Sequence, residues 1–274
     1  MSAPLLLWSW KTPRVESWSK ANRIRAMALG HILGEAAGFR VVFYGDETAL
    51  DDLHKVKWPW EMRELPRVVC PGWFWSASKM LALGDANERE NEGTSVIHVD
   101  GDALVKGPLS GMGSALYADH EEHPTPLHEL FYPANELRAL LSQDLPPWFD
   151  AWAEKRYVSV CALVGGSSRE AARLYIDEVF RVAWLLDSTG LARHEHTWFA
   201  EQAVHHGFAS WKFGGSGYAL SPECEGKNFA HWPGNAKDFL PDTIARYAAA
   251  FPPALEANIM AHFGPMTHTK RTRS

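Results

Sequence analysis

The sequence is poor in cysteine, and its cysteines are not spaced for a shared role. Cys70, Cys161 and Cys224 lie far apart in a chain of 274 residues. This spacing argues against a paired-cysteine zinc motif and against a disulfide framework. Because unpaired thiols are typical of proteins in reducing compartments, we expect a cytoplasmic location.

Long apolar runs are also missing. No run approaches the ~20 residues that a membrane-spanning helix needs. Residues 1–10 lack the basic segment and the long apolar core of a signal peptide. We therefore expect a soluble protein without stable membrane insertion.

The sequence has fewer basic than acidic residues. The chain has 27 Lys and Arg against 33 Asp and Glu, a net charge of −6. Affinity for a phosphate backbone requires clustered basic residues, so a general nucleic-acid-binding function is disfavoured. A basic cluster at residues 270–273 reads as a frayed tail.

An apolar stretch at residues 95–99 ends in Asp100-Gly101-Asp102. Its Val and Ile content predicts a strand that delivers two carboxylates at its C-terminal end. The glycine between them leaves room for a cation and an anionic ligand near the backbone. Oxygen ligands suit Mg²⁺ or Mn²⁺, which can hold a diphosphate. A plain Asp-Gly turn is the open alternative.

The order of apolar stretches predicts an α/β fold. Residues 5–10 and 39–44 read as buried strands around a helix at 17–37, which indicates a parallel sheet. Ligands bind such sheets beyond the carboxyl ends of the strands. Residues 8–10 and 44–46 would then share an edge with the Asp100-Gly101-Asp102 turn. Further helices are predicted at 73–85, 135–141, 168–186, 196–206 and, as the final helix, 241–249, with strands at 114–118 and 157–164 and a loop at 229–238.

His231 begins a stretch in which Gly234 and Lys237 follow at three-residue spacing. A neutral imidazole can ligate the same divalent ion as the carboxylates. Glycine lets a loop fold over a phosphate, and lysine supplies a positive point charge. A loop histidine followed by an exposed lysine is the simpler interpretation.

Glu201, Gln202 and Lys79 are further candidates. A carboxylate beside an amide can stabilise positive charge on a reacting carbon, and a lysine at a helix end can face an anionic ligand. A solvated helix face explains each of them equally well.

Together these stretches resemble the GT-A glycosyltransferases. The motif at residues 100–102 resembles their DxD motif, and residues 231–237 are similar to the HxxGxxK signature of the glycogenin-like and lipopolysaccharide galactosyltransferase-like family. Glu201-Gln202 resembles that family's Asp-Gln pair, with Glu replacing Asp. The resemblance implies a Rossmann-like GT-A fold, with a mostly parallel central sheet flanked by helices, over residues 1–240. A C-terminal helix and basic tail would follow at 241–274.

The same resemblance implies a nucleoside-diphosphate sugar donor, with UDP as the family default. It also implies Mn²⁺ or Mg²⁺ as cofactor and sugar transfer with retention of configuration. The sequence departs from the family at Asp238-Phe239, where Pro-Trp is common. By resemblance, Asp100, Asp102 and His231 would hold the metal, Trp8, Ser9, Lys79, Asp100, Gly234 and Lys237 would contact the donor, and Glu201 and Gln202 would act near the sugar.

The acceptor stays open among a glycan, a lipid-linked sugar, a protein side chain and a modified base in DNA. Tryptophan is abundant, with 13 residues, and indoles stack on sugar rings. Two other functions are possible: a phosphatase of the haloacid-dehalogenase type, which also places Asp-x-Asp after a strand, and a non-catalytic nucleotide-sugar-binding protein. The tryptophans expected to line an acceptor cleft are Trp58, Trp60, Trp73, Trp75, Trp148 and Trp152.

Overall fold

The computed structural model describes residues 3–10, 19–125, 131–142, 144–218, 228–231 and 240–266. Two compact units divide the chain. The first unit comprises Met1–Leu65, Val99–Leu109 and Cys224–Ser274, and the second comprises Pro66–His98 and Ser110–Glu223. The predicted domain boundary at residue 240 stays a prediction.

The secondary structure alternates between strands and helices. In chain order the described elements are β1 Leu5–Trp10, α1 Lys20–Ala36, β2 Arg40–Gly45, α2 Glu47–Lys55, β3 Met62–Glu64, α3 Ala77–Arg89, β4 Val96–Val99, β5 Ala103–Val105, β6 Tyr117–Glu122, α4 Ala134–Leu140, α5 Phe149–Lys155, β7 Val158–Gly166, α6 Arg169–Ser188, α7 His196–Trp198, a π-helical turn Phe199–Ala203, α8 Val204–Phe213, β8 Gly217–Tyr218, β9 Phe229–His231, α9 Leu240–Arg246, a 3₁₀ turn Ala248–Ala250 and α10 Pro253–Phe263.

Seven of these strands form a mostly parallel central sheet flanked by helices, and β5 and β9 form a separate two-stranded sheet. This architecture confirms the predicted α/β class. None of the described helices has the length and apolar character needed to cross a membrane.

In the first unit, β1 and β2 run parallel as the βαβ pattern predicts. Trp8 lies opposite Phe43 in their register, and β3 continues the sheet beside β2. Helix α1 packs closely on β1 because it carries glycine at the contact. A Cβ on Gly30 would lie 2.9 Å from the Trp8 ring, so a larger residue there would displace the indole.

The C-terminal part of the first unit contains one helix more than the sequence predicts. The helix expected at 241–249 ends at Arg246, and α10 follows after Pro252. Proline at the start of a helix loses no hydrogen bond, because the first N–H groups have no intrahelical partner. Helix α10 is joined to α1 by an ion pair in which Nη2 of Arg25 lies 2.6 Å from Oε1 of Glu256.

Sequence reasoning also missed α2, which follows β2 directly. Asp46 caps this helix: its side-chain oxygen accepts a hydrogen bond from the N–H of Ala49 at 2.9 Å. The carboxylate expected at the ligand-binding edge of the sheet therefore has a local structural role. An Asp three residues before an Ala-Leu pair is a helix-start signal that could have revealed it.

In the second unit the strand order is β4-β7-β6-β8. Strands β6 and β7 are antiparallel, with Tyr117 opposite Gly165, and β8 runs parallel to β6. The predicted long helix at 168–186 is confirmed as α6. Ser168 caps it by accepting a hydrogen bond from the N–H of Ala171 at 3.2 Å.

Several predicted boundaries shift. Helix α3 begins at Ala77 rather than at residue 73, so Trp73 and Trp75 lie in the turn that precedes it. Strand β6 begins at Tyr117 rather than at 114. Sequence reasoning missed α5, whose Phe149 and Trp152 are buried.

Candidate functional site

In the first unit, strand pairing brings Asp102 and His231 together. Nε2 of His231 lies 3.8 Å from Oδ1 of Asp102. The cause is the antiparallel register of β5 and β9, in which His231 stands opposite Ala103, the residue that follows Asp102. Solvent reaches both side chains, which are 12% and 21% exposed for Asp102 and His231 respectively.

The turn between β4 and β5 places Asp102 at the start of β5. The N–H of Ala103 donates to the carbonyl of Asp100 at 3.0 Å, which closes a tight turn over Gly101. The predicted strand therefore ends at Val99. The turn interpretation is therefore confirmed for residues 100–103, and the metal-binding role of the carboxylates stays a prediction.

Asn228 fixes the start of β9 to the end of β5. Its carbonyl accepts hydrogen bonds from the N–H groups of Lys106 at 2.7 Å and Gly107 at 3.2 Å. Its side-chain amide donates to the carbonyl of Pro108 at 2.9 Å. A Cβ on Gly107 would lie 2.7 Å from Oδ1 of Asn228. The close approach that orients His231 thus depends on glycine at 107.

The Asp102–His231 pair fits part of a site for a divalent cation. Oxygen and nitrogen ligands lie about 2.1 Å from such ions, so two donor atoms 3.8 Å apart can both reach one ion. Across the described residues, however, no three His, Cys, Asp or Glu side chains are grouped to hold a metal. The predicted place of Asp100 among the metal ligands stays a prediction.

The other residues predicted to contact the donor differ in their burial and in whether the structure describes them. Gly234 and Lys237 lie outside the described residues. Trp8 is only 3% exposed and its ring packs against α1, so it does not offer that ring to a nucleotide base. Ser9 is half-buried, and its predicted contact with the donor stays a prediction.

In the second unit, Glu201 and Lys79 form a buried ion pair. Their side chains are 1% and 5% exposed respectively. The hydroxyl of Ser76 donates to the other oxygen of Glu201, and the Lys79 ammonium also donates to the carbonyl of Cys161 at 2.8 Å. The predicted contact of Lys79 with a diphosphate is not supported, because its ammonium is buried and bound within the protein. Glu201 is likewise not available to a sugar.

The charge of Lys79 acts on a neighbouring imidazole. Burial, and secondarily the charge of Lys79, holds the pKa of His98 well below its ordinary value. Burial also raises the pKa of Tyr175 well above its ordinary value, and its hydroxyl donates to the backbone carbonyl of Glu201 at 3.4 Å. The surroundings of Glu201 thus contain neutral groups and one compensating cation.

Glu201 and Gln202 are adjacent in the π-helical turn, but their side chains differ in exposure. Glu201 points into the core of the second unit, whereas Gln202 is half-buried. The Tyr132 hydroxyl donates to Oε1 of Gln202. Burial, with a smaller contribution from Glu122, raises the pKa of Tyr132 well above its ordinary value, so this hydroxyl stays protonated. Gln202 is the member of the predicted catalytic pair that remains accessible.

Three of the six tryptophans predicted to line an acceptor cleft are buried, whereas Trp60 and Trp73 are half-buried. Trp148 and Trp152 are 1% and 2% exposed and pack with Phe199 in the core of the second unit. Trp58 is also buried, at 7% exposed. Trp75 is different, because 42% of its surface is exposed.

Comparison with known proteins gives fold-level similarity. No protein-family model matches the chain, and no curated protein matches it in sequence. Among solved structures, the galactosyltransferase LgtC in complex with donor and acceptor sugar analogues aligns with a TM-score of 0.49 and 11% identity, covering 93% of this chain and 99% of that one. An active-site mutant of LgtC aligns with a TM-score of 0.49 and 10% identity over the same shares.

A second glycosyltransferase is similar over a shorter span. The apo form of mouse xyloside xylosyltransferase 1 aligns with a TM-score of 0.41 and 12% identity, covering 80% of this chain and 86% of that one. At this degree of similarity the reaction of the chain has to be inferred from its own residues.

Proposed function

We propose that the chain is a glycosyltransferase that moves a sugar from a nucleoside-diphosphate donor to an acceptor. The observation that carries the proposal is the Asp102–His231 pair, which solvent reaches and which a glycine turn and a strand register place together. A carboxylate oxygen and an imidazole nitrogen at this separation suit a divalent ion. A diphosphate leaving group is the substrate part that such an ion binds best.

The roles of the residues follow from their chemistry. Asp102 and His231 would hold Mn²⁺ or Mg²⁺, which when bound supplies positive charge opposite the leaving diphosphate. Lys237, in the same motif, would add a positive point charge to the diphosphate. Gln202 replaces Glu201 as the side chain proposed to face the sugar, because Glu201 is bound to Lys79 and Ser76. Three parts of this proposal rest on the sequence alone. They are UDP as the nucleotide of the donor, retention of configuration and a cytoplasmic location.

A thermal-shift panel tests the proposal directly. A ligand that binds the folded state raises the melting temperature by mass action. We expect one nucleoside-diphosphate sugar to raise the melting temperature with Mn²⁺ present and to raise it much less without Mn²⁺. The same donor should be turned over, with release of the nucleoside diphosphate.

The matched variants are Asp102→Asn and Asp51→Asn, because Asp51 is an exposed carboxylate elsewhere in the first unit. Asp102→Asn should lose the Mn²⁺-dependent shift and reduce turnover by about a hundredfold or more. Asp51→Asn should behave as the wild type. Wild-type turnover in Asp102→Asn would overturn the proposal.

A non-catalytic nucleotide-sugar-binding protein is the second candidate. The specific observation in its favour is that the carboxylate of Glu201 is bound within the protein rather than open to a substrate. The same panel separates the two functions. A Mn²⁺-dependent shift without hydrolysis or transfer of any donor would identify the binding protein.

A further inference from the structure

Three aromatic rings form a corner on the second unit, which we call the aromatic corner: Trp75, His194 and Trp198. The ring centroids of Trp75 and His194 are 6.1 Å apart, at an interplanar angle of 34°. Trp198 stands nearly perpendicular to both, at 79° to Trp75 and 78° to His194. The rings of Trp75 and His194 thus have similar orientations, and the ring of Trp198 is nearly perpendicular to both.

Solvent reaches this corner. Trp75 is 42% exposed, His194 is exposed and Trp198 is half-buried. Trp184 and Trp211 of the same unit are also exposed, at 43% and 52%, so the corner is distinguished by its three grouped rings and not by exposure alone. Exposed aromatic surface of this kind is typical of places where a protein binds something.

The corner is held rigidly by its own contacts. The hydroxyl of Thr197 donates to the carbonyl of Trp73 at 3.1 Å, which ties helix α7 to the turn that carries Trp75. Phe131 packs against the Trp198 ring with centroids 4.6 Å apart. The rings are therefore positioned before any ligand arrives, which reduces the ordering cost of binding.

Polar groups border the aromatic rings. Gln202 follows Trp198 by four residues, in the π-helical turn that continues α7, so it lies close along the chain to the Trp198 ring. Tyr132, the neighbour of Phe131, donates to Oε1 of Gln202 and thereby orients the amide. Hydrogen-bonding groups beside a flat apolar surface suit a ligand that has an apolar face and a polar edge.

The charges next to the corner do not form a phosphate site. Arg193 precedes His194, but its guanidinium is bound to Glu136 at 2.7 Å. Glu195, which follows His194, is an exposed carboxylate. Affinity for a nucleic-acid backbone or a diphosphate requires clustered positive charge, so a neutral ligand fits this surface better.

We propose that the aromatic corner binds a pyranose ring of the acceptor. The C–H face of the sugar would stack on Trp75, its edge would contact Trp198, and its hydroxyls would bond with Gln202 and His194. The naming of this sugar as the acceptor rests on the proposed glycosyltransferase function. The binding of a sugar at the corner does not.

Saturation-transfer NMR with the methyl pyranosides of galactose, glucose and xylose tests binding on the full chain. The variants are Trp75→Ala, Trp75→Phe and Trp184→Ala, the last because Trp184 is 43% exposed on α6 and matches Trp75 in exposure. Trp75→Ala should weaken the Kd of the best sugar about tenfold. Trp75→Phe should stay within about threefold because it keeps an aromatic face, and Trp184→Ala should bind as the wild type.

Several results would overturn the proposal. They are an absence of binding of all three sugars to the wild type at millimolar concentration, equal binding by Trp75→Ala, and equal weakening by Trp184→Ala. Displacement of the sugar signal by a short single-stranded oligonucleotide at lower concentration would identify a nucleobase site instead. A dimeric wild type that becomes monomeric in Trp75→Ala by sedimentation would identify a contact between copies.

Kinetics separate this proposal from the proposed function. If a donor is turned over, Trp75→Ala should raise the KM for the acceptor sugar about tenfold more than the KM for the donor. Equal effects on both would overturn the acceptor role. If no donor is ever turned over but Trp75-dependent sugar binding persists, the glycosyltransferase function fails while the sugar site stands.

Discussion

The Asp102–His231 pair of the first unit and the Glu201–Lys79 pair of the second differ in their access to solvent. In the first unit, Asp102 and His231 are 12% and 21% exposed, and their nearest atoms are 3.8 Å apart. In the second unit, Glu201 and Lys79 are 1% and 5% exposed and in direct contact. Ser76 adds a hydrogen bond to Glu201. Solvent reaches the first pair, whereas the second is enclosed by the protein itself.

The difference shows how separation and burial assign a role to a charged pair. A buried ion pair that is fully hydrogen-bonded is costly to break, because the remaining charge keeps its desolvation penalty. An open pair at 3.8 Å contributes little to stability and leaves room for an ion between the two side chains. We therefore expect substitutions in the buried pair to change stability and substitutions in the open pair to change ligand binding.

The largest expected effect comes from Lys79→Met, which leaves Glu201 charged, buried and without its cation. The free energy of unfolding should fall by about 3–5 kcal/mol, measured by urea denaturation with circular dichroism. Asp102→Asn, the matched substitution in the open pair, should change it by less than about 1 kcal/mol. The double variant Lys79→Met/Glu201→Leu should recover part of the loss, because no charge is left buried.

One result would reverse the comparison. If Lys79→Met unfolds at wild-type urea concentrations and instead weakens binding of a nucleoside-diphosphate sugar, then Lys79 faces the donor, as the family resemblance implies. The buried pair would then exist only without a ligand.

Much of the first pair could be predicted from sequence. The strand composition of residues 96–99 identifies Asp102 as a carboxylate that follows a strand. The His-x-x-Gly-x-x-Lys spacing identifies His231. The sequence could not reveal that His231 pairs opposite Ala103, because the register depends on a partner some 130 positions away. Nor could it fix the direction of the Asp100 side chain, since the orientation of side chains in a turn depends on the folded backbone.

The second pair shows where sequence reasoning fails. Glu201 and Lys79 are polar residues on predicted helices, and a helical pattern does not distinguish a polar residue at a solvated face from one that meets a buried partner 122 positions away. Tryptophans pose the same problem. Trp75 and Trp152 are chemically identical in the sequence, but packing exposes one and buries the other. Burial is a property of tertiary packing, which often overrides local propensity.

A second prediction extends the comparison to the imidazoles. Burial, and secondarily the charge of His206, lowers the pKa of His205 to about 3, although the backbone of Tyr117 opposes the shift. Because this pKa is lower in the folded than in the unfolded state, the unfolded chain takes up the proton first as the pH falls. The stabilising contribution of neutral His205 is therefore complete above about pH 6.5 and is lost between pH 6.5 and 3, by about 1.4 kcal/mol per pH unit.

Urea denaturation at pH 7, 6, 5 and 4 measures this loss. His205→Phe keeps the ring that packs against Tyr175 with centroids 5.0 Å apart, and it removes the titration. As the pH is lowered, the free energy of unfolding of His205→Phe should decrease less steeply than that of the wild type. Parallel slopes for His205→Phe and the wild type would show that this imidazole does not contribute to acid sensitivity.

The smallest expected effect concerns the residue that positions the open pair. Asn228→Ala removes the side-chain hydrogen bond to the carbonyl of Pro108, so the start of β9 is held less firmly and His231 is less well oriented. We expect the affinity for Mn²⁺ to fall by about tenfold, read from the Mn²⁺ dependence of the melting temperature, while stability changes by about 1 kcal/mol or less. Asn258→Ala is the matched control, because Asn258 makes the same kind of bond, to the carbonyl of Val56 at 3.1 Å in the same unit. If both variants bind Mn²⁺ equally well, the side-chain hydrogen bond of Asn228 does not orient His231 for metal binding.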